Sequence, residues 1–197
     1  MNKIRLAGCV KTEPTFSHET FGEKFYSFYI DVLRKNAKSD VLKCIVPEIL
    51  KNSITQFDGV EITGEIRTRN YLKADGKNGL EVLVFVTEVN EYTEEEVNEV
   101  VINGYICKEP NYRETPLGRE ICDILIASNR ERNRSSDYIP CITWGRTARR
   151  TSGMLVSTKV DIVGRLQSRE YIKRLEDGTE ETRVAYEVSV ATIKECD

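Results

Sequence analysis

Short apolar runs broken by polar turns follow one another along the whole chain, and most runs have the length and composition of strands. Residues 4–10 are apolar apart from Arg5, and a stretch rich in Thr, Pro, Ser and Gly follows from Thr12 to Gly22. The run from Phe25 to Val32 is aromatic and β-branched, a composition that suits a pleated, half-buried surface. A charged break from Arg34 to Asp40 leads to a further run, Val41 to Val46. Pro47 then opens the segment EILKNSITQF, which reads as a helix because proline suits a first helical turn. Asp58-Gly59 marks a turn, and Val60 to Arg69 and Leu80 to Val89 read as strands joined at Ala74-Asp75-Gly76.

The same order then returns. Gly8, Pro14, Gly22 and Phe28 recur 96 residues later as Gly104, Pro110, Gly118 and Ile124, and Gly64 and Tyr71 recur 100 residues later as Gly164 and Tyr171. A drift of this size is what two copies with slightly different loops give. The second copy predicts strands over 100–107, 119–128 and 138–144, a helix over 146–155, and strands over 159–171 and 182–193 joined at Glu176-Asp177-Gly178. Five strands with one short helix between the third and fourth is the signature of the oligonucleotide-binding (OB) barrel, a five-stranded Greek-key structure with its helix at one end. The chain therefore predicts an all-β, tandem OB-fold protein. Its expected parts are a first barrel over 1–92, an acidic linker over 93–98 and a second barrel over 99–197.

Composition narrows the function. In 197 residues there is no run of 18 apolar residues, and the start MNKIRLAGCV shows no signal segment, so the expectation is a cytoplasmic protein without membrane contact. The six cysteines show no CxxC spacing, and most lie in apolar runs, where reduced thiols act as small hydrophobes. With a single histidine, His18, in a polar stretch, neither a zinc site nor any other metal or cofactor is expected. No GxGxxG, P-loop or paired-carboxylate motif is present, so the chain does not read as an enzyme. The net charge is −3, but arginine makes up 4 of 13 basic residues before position 97 and 12 of 16 after it. Arginine offers phosphate a planar fork and bases a flat face, so the second copy is the expected nucleic-acid reader.

Most of residues 100–193 resemble the bacterial single-stranded DNA-binding protein family. The resemblance rests on G-Y-I-C-K-E-P (104–110), L-G-R-E-I-C-D-I-L-I-A-S-N-R (117–130), I-P-C-I-T-W-G-R (139–146) and V-G-R-L-Q-S-R-E-Y (163–171), in family order. The first copy matches through I-T-G-E-I-R-T-R-N-Y (62–71). The resemblance implies sequence-independent coating of single-stranded DNA in replication, recombination or repair, close to the nucleoid. It also implies a homodimer that brings four barrels together, as in two-barrel members of the family. The alternative is a barrel used as a protein-interaction or primosome accessory module. The family's acidic, partner-recruiting tail is not matched, because Cys196-Asp197 follow directly on the last strand pattern.

Binding single strands without reading sequence needs rings under bases and cations along phosphates. Trp144 and Tyr138 are six residues apart on one strand, an even spacing that puts both on one face, and Tyr171 falls at a family stacking position. The cationic candidates are Arg130, Arg132 and Arg134 in one loop, then Arg146, Arg149, Arg165 and Arg169, of which Arg146 and Arg169 match basic family positions. In the first copy Arg67, Arg69 and Tyr71 remain, whereas Val41 and Pro47 stand opposite Tyr138 and Trp144. A degenerate binding surface on the first barrel is the expectation.

Overall fold

A computed structural model describes residues 1–73, 76, 78–93, 95–115, 117–130, 135–174 and 178–196. The predicted loop arginines Arg132 and Arg134, and parts of the two hairpin tips and of the acidic connection, lie outside the described residues.

The first copy contributes β1 (Asn2–Val10), β2 (Thr15–Thr20), β3 (Glu23–Leu33), β4 (Ser39–Pro47), α1 (Glu48–Lys51), β5 (Gly59–Leu72) and β6 (Asn78–Asn90). The second contributes β7 (Asn98–Ile106), β8 (Asn111–Glu114), β9 (Glu120–Asn129), β10 (Ser136–Trp144), α2 (Gly145–Thr151), β11 (Lys159–Arg174) and β12 (Glu180–Glu195). In the first copy β1 pairs with β3 and β5, β3 with β4, β4 with β6 in parallel, and β6 with β5, so five strands close on themselves. The same closure runs through β7, β9, β10, β12 and β11. These are two OB barrels in tandem, each closed over a core of alternating inward residues such as Ile30, Ile62 and Val84 in the first and Ile102, Ile126 and Val188 in the second.

Three sequence expectations change. The stretch from Thr12 to Gly22 contains β2, a strand exposed along its whole length that extends the β3 hairpin; β8 repeats it. With no buried position and no apolar alternation, such a strand leaves no periodic signal. The helices are shorter than the segments 48–57 and 146–155 suggested, and Pro47 ends β4 as the N-cap residue of α1 instead of entering the helix. Cys9 is exposed, Cys107 and Cys196 are half-buried, and Cys44, Cys122 and Cys141 follow the buried expectation.

The two barrels are joined edge to edge. β1 runs antiparallel to β7, with Ile4 opposite Val100, so one sheet continues through both copies. Asn2 and Asn98 make this possible: their backbones face the neighbouring barrel while their side chains hold their own. Asn2 Nδ2 donates to the Ile66 carbonyl at 2.7 Å and its Oδ1 accepts from the Ile66 N–H at 3.0 Å; Asn98 does the same with Leu166 at 2.7 and 2.9 Å. β5 and β11 each carry a bulge at Gly64 or Gly164, where an added Cβ would lie 2.2 Å from the Phe85 carbonyl oxygen or 2.4 Å from that of Ser189. Only glycine admits so close an approach, and the bend turns the distal half of each long strand outward.

Candidate nucleic-acid interface

Two buried aspartates lock the barrels together and shape the surface between them. Asp40 accepts Nε of Arg34 at 2.7 Å, a second bond from the Arg34 guanidinium, and the Ser168 N–H at 2.6 Å from the other barrel. Arg34 also donates to the Ser168 carbonyl at 2.7 Å. The arrangement is reciprocal. Asp137 accepts both arms of Arg130, at 2.8 and 2.7 Å, together with Arg67 at 3.1 Å and the Thr68 N–H at 2.7 Å from the first barrel. Burial pushes the Asp137 carboxyl up, but the bonds from Arg130 and Thr68 and the charges of Arg130 and Arg67 outweigh it and hold it below the usual range. Each barrel's turn before its fourth strand is thereby tied across to the other barrel.

The consequence is a pair of grooves, each roofed by the opposite copy. The larger, about 770 Å³, lies on the second barrel between Trp144, Arg119, Arg165 and Arg169 and is closed on one side by Arg34, Asn36 and Lys38 of the first. Trp144 ends β10, and its indole N–H donates to Ser189 Oγ at 3.2 Å, which sets the half-buried ring across β12. Arg119, Arg165 and Lys38 form no ion pair among the described residues, and the Arg165 guanidinium reaches only the Gln167 side chain, at 3.1 Å. Among the described residues, Glu170 is the only carboxylate in the lining. Arg169 is held by Glu187 at 3.0 and 3.2 Å, and those bonds raise its already high pKa.

The second groove, about 570 Å³, lies on the first barrel and includes Lys43, Arg67, Arg69, Glu65, Glu81 and Phe85, with Arg130 reaching in from the other copy. Its cations are all paired. Glu81 takes Lys43 at 2.7 Å and Arg69 at 2.7 Å, Arg67 bridges Glu65 and Asp137, and Arg130 grips Asp137. Burial pushes the Glu81 carboxyl up, and its Lys43 and Arg69 partners bring it below the ordinary range.

Between the grooves, Tyr71 and Tyr171 line one recess of about 530 Å³ with Pro140 and Tyr186. The Arg169 guanidinium carbon lies 5.7 Å from the Tyr171 ring centroid, so the recess adjoins the larger groove. Tyr71 also borders a smaller pocket with Arg69, Lys43 and Glu81, which adjoins the other. The structure thus brings Trp144 together with Arg169, Tyr71 with Tyr171, and Arg67 with Arg69 and Arg130. Tyr138 stands apart from these linings, exposed, with its N–H donating to Thr68 Oγ1 at 2.8 Å. Arg146 is exposed in the first turn of α2, and no ion pair holds it among the described residues. Arg34, Lys38 and Arg119 escaped sequence reasoning. The first two belong to the copy whose groove they do not serve, and only the cross-barrel aspartate bond reveals it.

The comparisons agree with this architecture. The profile of the Single-strand binding protein family matches residues 97–195. Single-stranded DNA-binding protein A of Bacillus subtilis is 35% identical over 81 residues, 38% of this chain and 47% of that protein. Single-stranded DNA-binding protein 3 of Clostridium acetobutylicum is 32% identical over 89 residues, 42% of this chain and 60% of that one. The chain spans about half the length of the curated relatives it matches first. The wild-type single-stranded DNA-binding protein from Thermus aquaticus superposes with a TM-score of 0.76 at 15% identity, covering 100% of this chain and 93% of that one, which is a likeness of fold. With the family's profile matching residues 97–195, just over half of its length, the chain belongs to the single-strand binding protein family.

Proposed function

We propose that the protein binds single-stranded DNA without reading its sequence and coats it, by contact alone and with no covalent step. The observation that carries this reading is the larger groove, where the chain's one tryptophan stands among three cations that no carboxylate pairs among the described residues. A ring fixed at its indole N–H offers a base a preorganised face, and stacking contributes on the order of 1–3 kcal/mol per base. Arg119, Arg165 and Lys38 supply the phosphate contacts, joined by Arg146 at the entrance. The strand continues past Arg169 and Tyr171, crosses the recess at Tyr71 and enters the smaller groove at Arg69 and Arg67. Tyr138 serves the outer edge of the same path, and Arg132 and Arg134, a few positions before it in sequence, are further proposed phosphate contacts. The barrels over 1–92 and 99–197, joined by 93–98, act as one surface because each roofs the other's groove. A homodimer presents four barrels, and exposed strands in replication, recombination or repair at the nucleoid are the setting.

The test is a titration of oligo-dT followed by Trp144 fluorescence. Strong quenching that weakens with added salt is expected, since stacking sets the signal and counterion release sets the salt response. No change at low salt overturns the reading and favours a protein-interaction module. Mass in solution tests the dimer: a particle of 22.6 kDa, the single chain, refutes it.

A further inference from the structure

The first barrel has Pro47 where the second has Trp144, yet its groove is not without a ring. Pro47 and Trp144 end equivalent strands and pair across to Phe25 and Ile121 respectively. Ser189, which accepts the Trp144 indole bond, lies opposite Arg165 and beside Ile142; its register counterpart, opposite Glu65 and beside Ile45, is Phe85. The trio Trp144, Ile121 and Ser189 of one barrel is therefore Pro47, Phe25 and Phe85 in the other. One large ring on the fourth strand has been exchanged for two on its neighbours.

The placement of Phe85 is that of a presented ring. Strand alternation turns Val84 and Val86 into the core, where both are fully buried, and Phe85 out into the groove, where it stays half-buried. Phe25, itself buried, meets it at 5.8 Å between centroids and 49° between planes, and His18 stacks on Phe25 at 4.9 Å and 15°. The Arg67 guanidinium carbon lies 5.7 Å from the Phe85 centroid. A phenyl ring buttressed from beneath by a second ring, open to a groove and accompanied by a guanidinium, has the parts that hold a base and its phosphate.

We infer that Phe85 is the base-stacking ring of the first barrel, a site taking one base of a single strand while Arg67 reaches the adjoining phosphate. This deepens the single-strand reading above and rests on it. The test moves the chain's one tryptophan: Trp144→Phe combined with Phe85→Trp leaves a single reporter at position 85. Long dT oligomers are expected to quench that reporter. Quenching of Trp144 in the unaltered protein without quenching at position 85 overturns this site and leaves the single-strand reading standing; quenching of neither overturns both. As a second variant, Phe85→Leu keeps an apolar contact with Phe25 and removes the ring. It is expected to melt like the parent, to cover fewer nucleotides per chain, and to bind long oligomers about 5- to 150-fold more weakly, the effect of one stacked base, while short oligomers still quench Trp144 as before. Unchanged coverage overturns the assignment.

Discussion

The two grooves share a frame, a bulge glycine and a reciprocal aspartate clamp, and they differ in what their cations are already doing. On the second barrel Arg119, Arg165 and Lys38 face the groove without carboxylate partners among the described residues. On the first, Lys43, Arg67, Arg69 and Arg130 are committed to Glu65, Glu81 and Asp137. A phosphate that meets a free cation releases counterions and gains affinity; one that meets a paired cation must first displace a carboxylate at closer range. Counting basic residues therefore misjudges a binding face, and counting unpaired ones ranks the two. The rings follow a different rule, because the first barrel keeps an aromatic surface by moving it one strand over.

The clamp shared by both grooves gives the largest expected effect. Removing the buried carboxylate by Asp137→Ala or Asp40→Ala strands two or more polar groups between the barrels and is expected to cost about 2–4 kcal/mol in denaturant unfolding. Equal melting of variant and parent would show that the barrels do not depend on it. The same group predicts an acid limb. Because the folded pKa of Asp137 is depressed, its stabilisation is full above its unfolded value of about 3.9 and drains away as pH falls through the folded value. Asp137→Asn should flatten stability against pH in that window only.

Next in size, Trp144→Ala should weaken oligo-dT binding about 5- to 150-fold, measured by anisotropy of a labelled oligomer. A loss confined to Phe85→Leu, with Trp144→Ala neutral, would reverse the ranking of the barrels. Smaller and opposite in sign, Glu81→Gln should free Lys43 and Arg69, tightening binding at low salt and steepening log K against log salt by about 0.7 for each additional phosphate that is neutralised. An unchanged slope would mean that the first groove is not on the path. The smallest expected change is in Lys38→Ala, a first-barrel residue that should lower the salt slope by about 0.7 while the signal is read at Trp144 of the second.

The repeat and the order of five strands and a helix were legible from residue pattern, because inward alternation and turn residues are local properties of the chain; Trp144 and Arg169 were singled out separately, and only the fold puts them in one groove. β2 and β8 were not, since a wholly exposed strand has no alternation to betray it. Arginine enrichment in the second copy pointed to the more cationic groove, although Arg130, one of the residues behind that signal, is spent on Asp137 and roofs the other barrel.

By itself the sequence determined two barrels, their cores and which copy holds the tryptophan, since hydrophobic period and glycine placement act within a few residues. Only the tertiary structure decided which cations remain unpaired, which copy roofs each groove and where the first barrel keeps its ring. The roofing depends on partners 69 and 128 positions apart, Asp137 with Thr68 and Asp40 with Ser168, and the pairing of Lys43 with Glu81 spans 38. Charge pairing is a property of distance in space, and no local pattern encodes it.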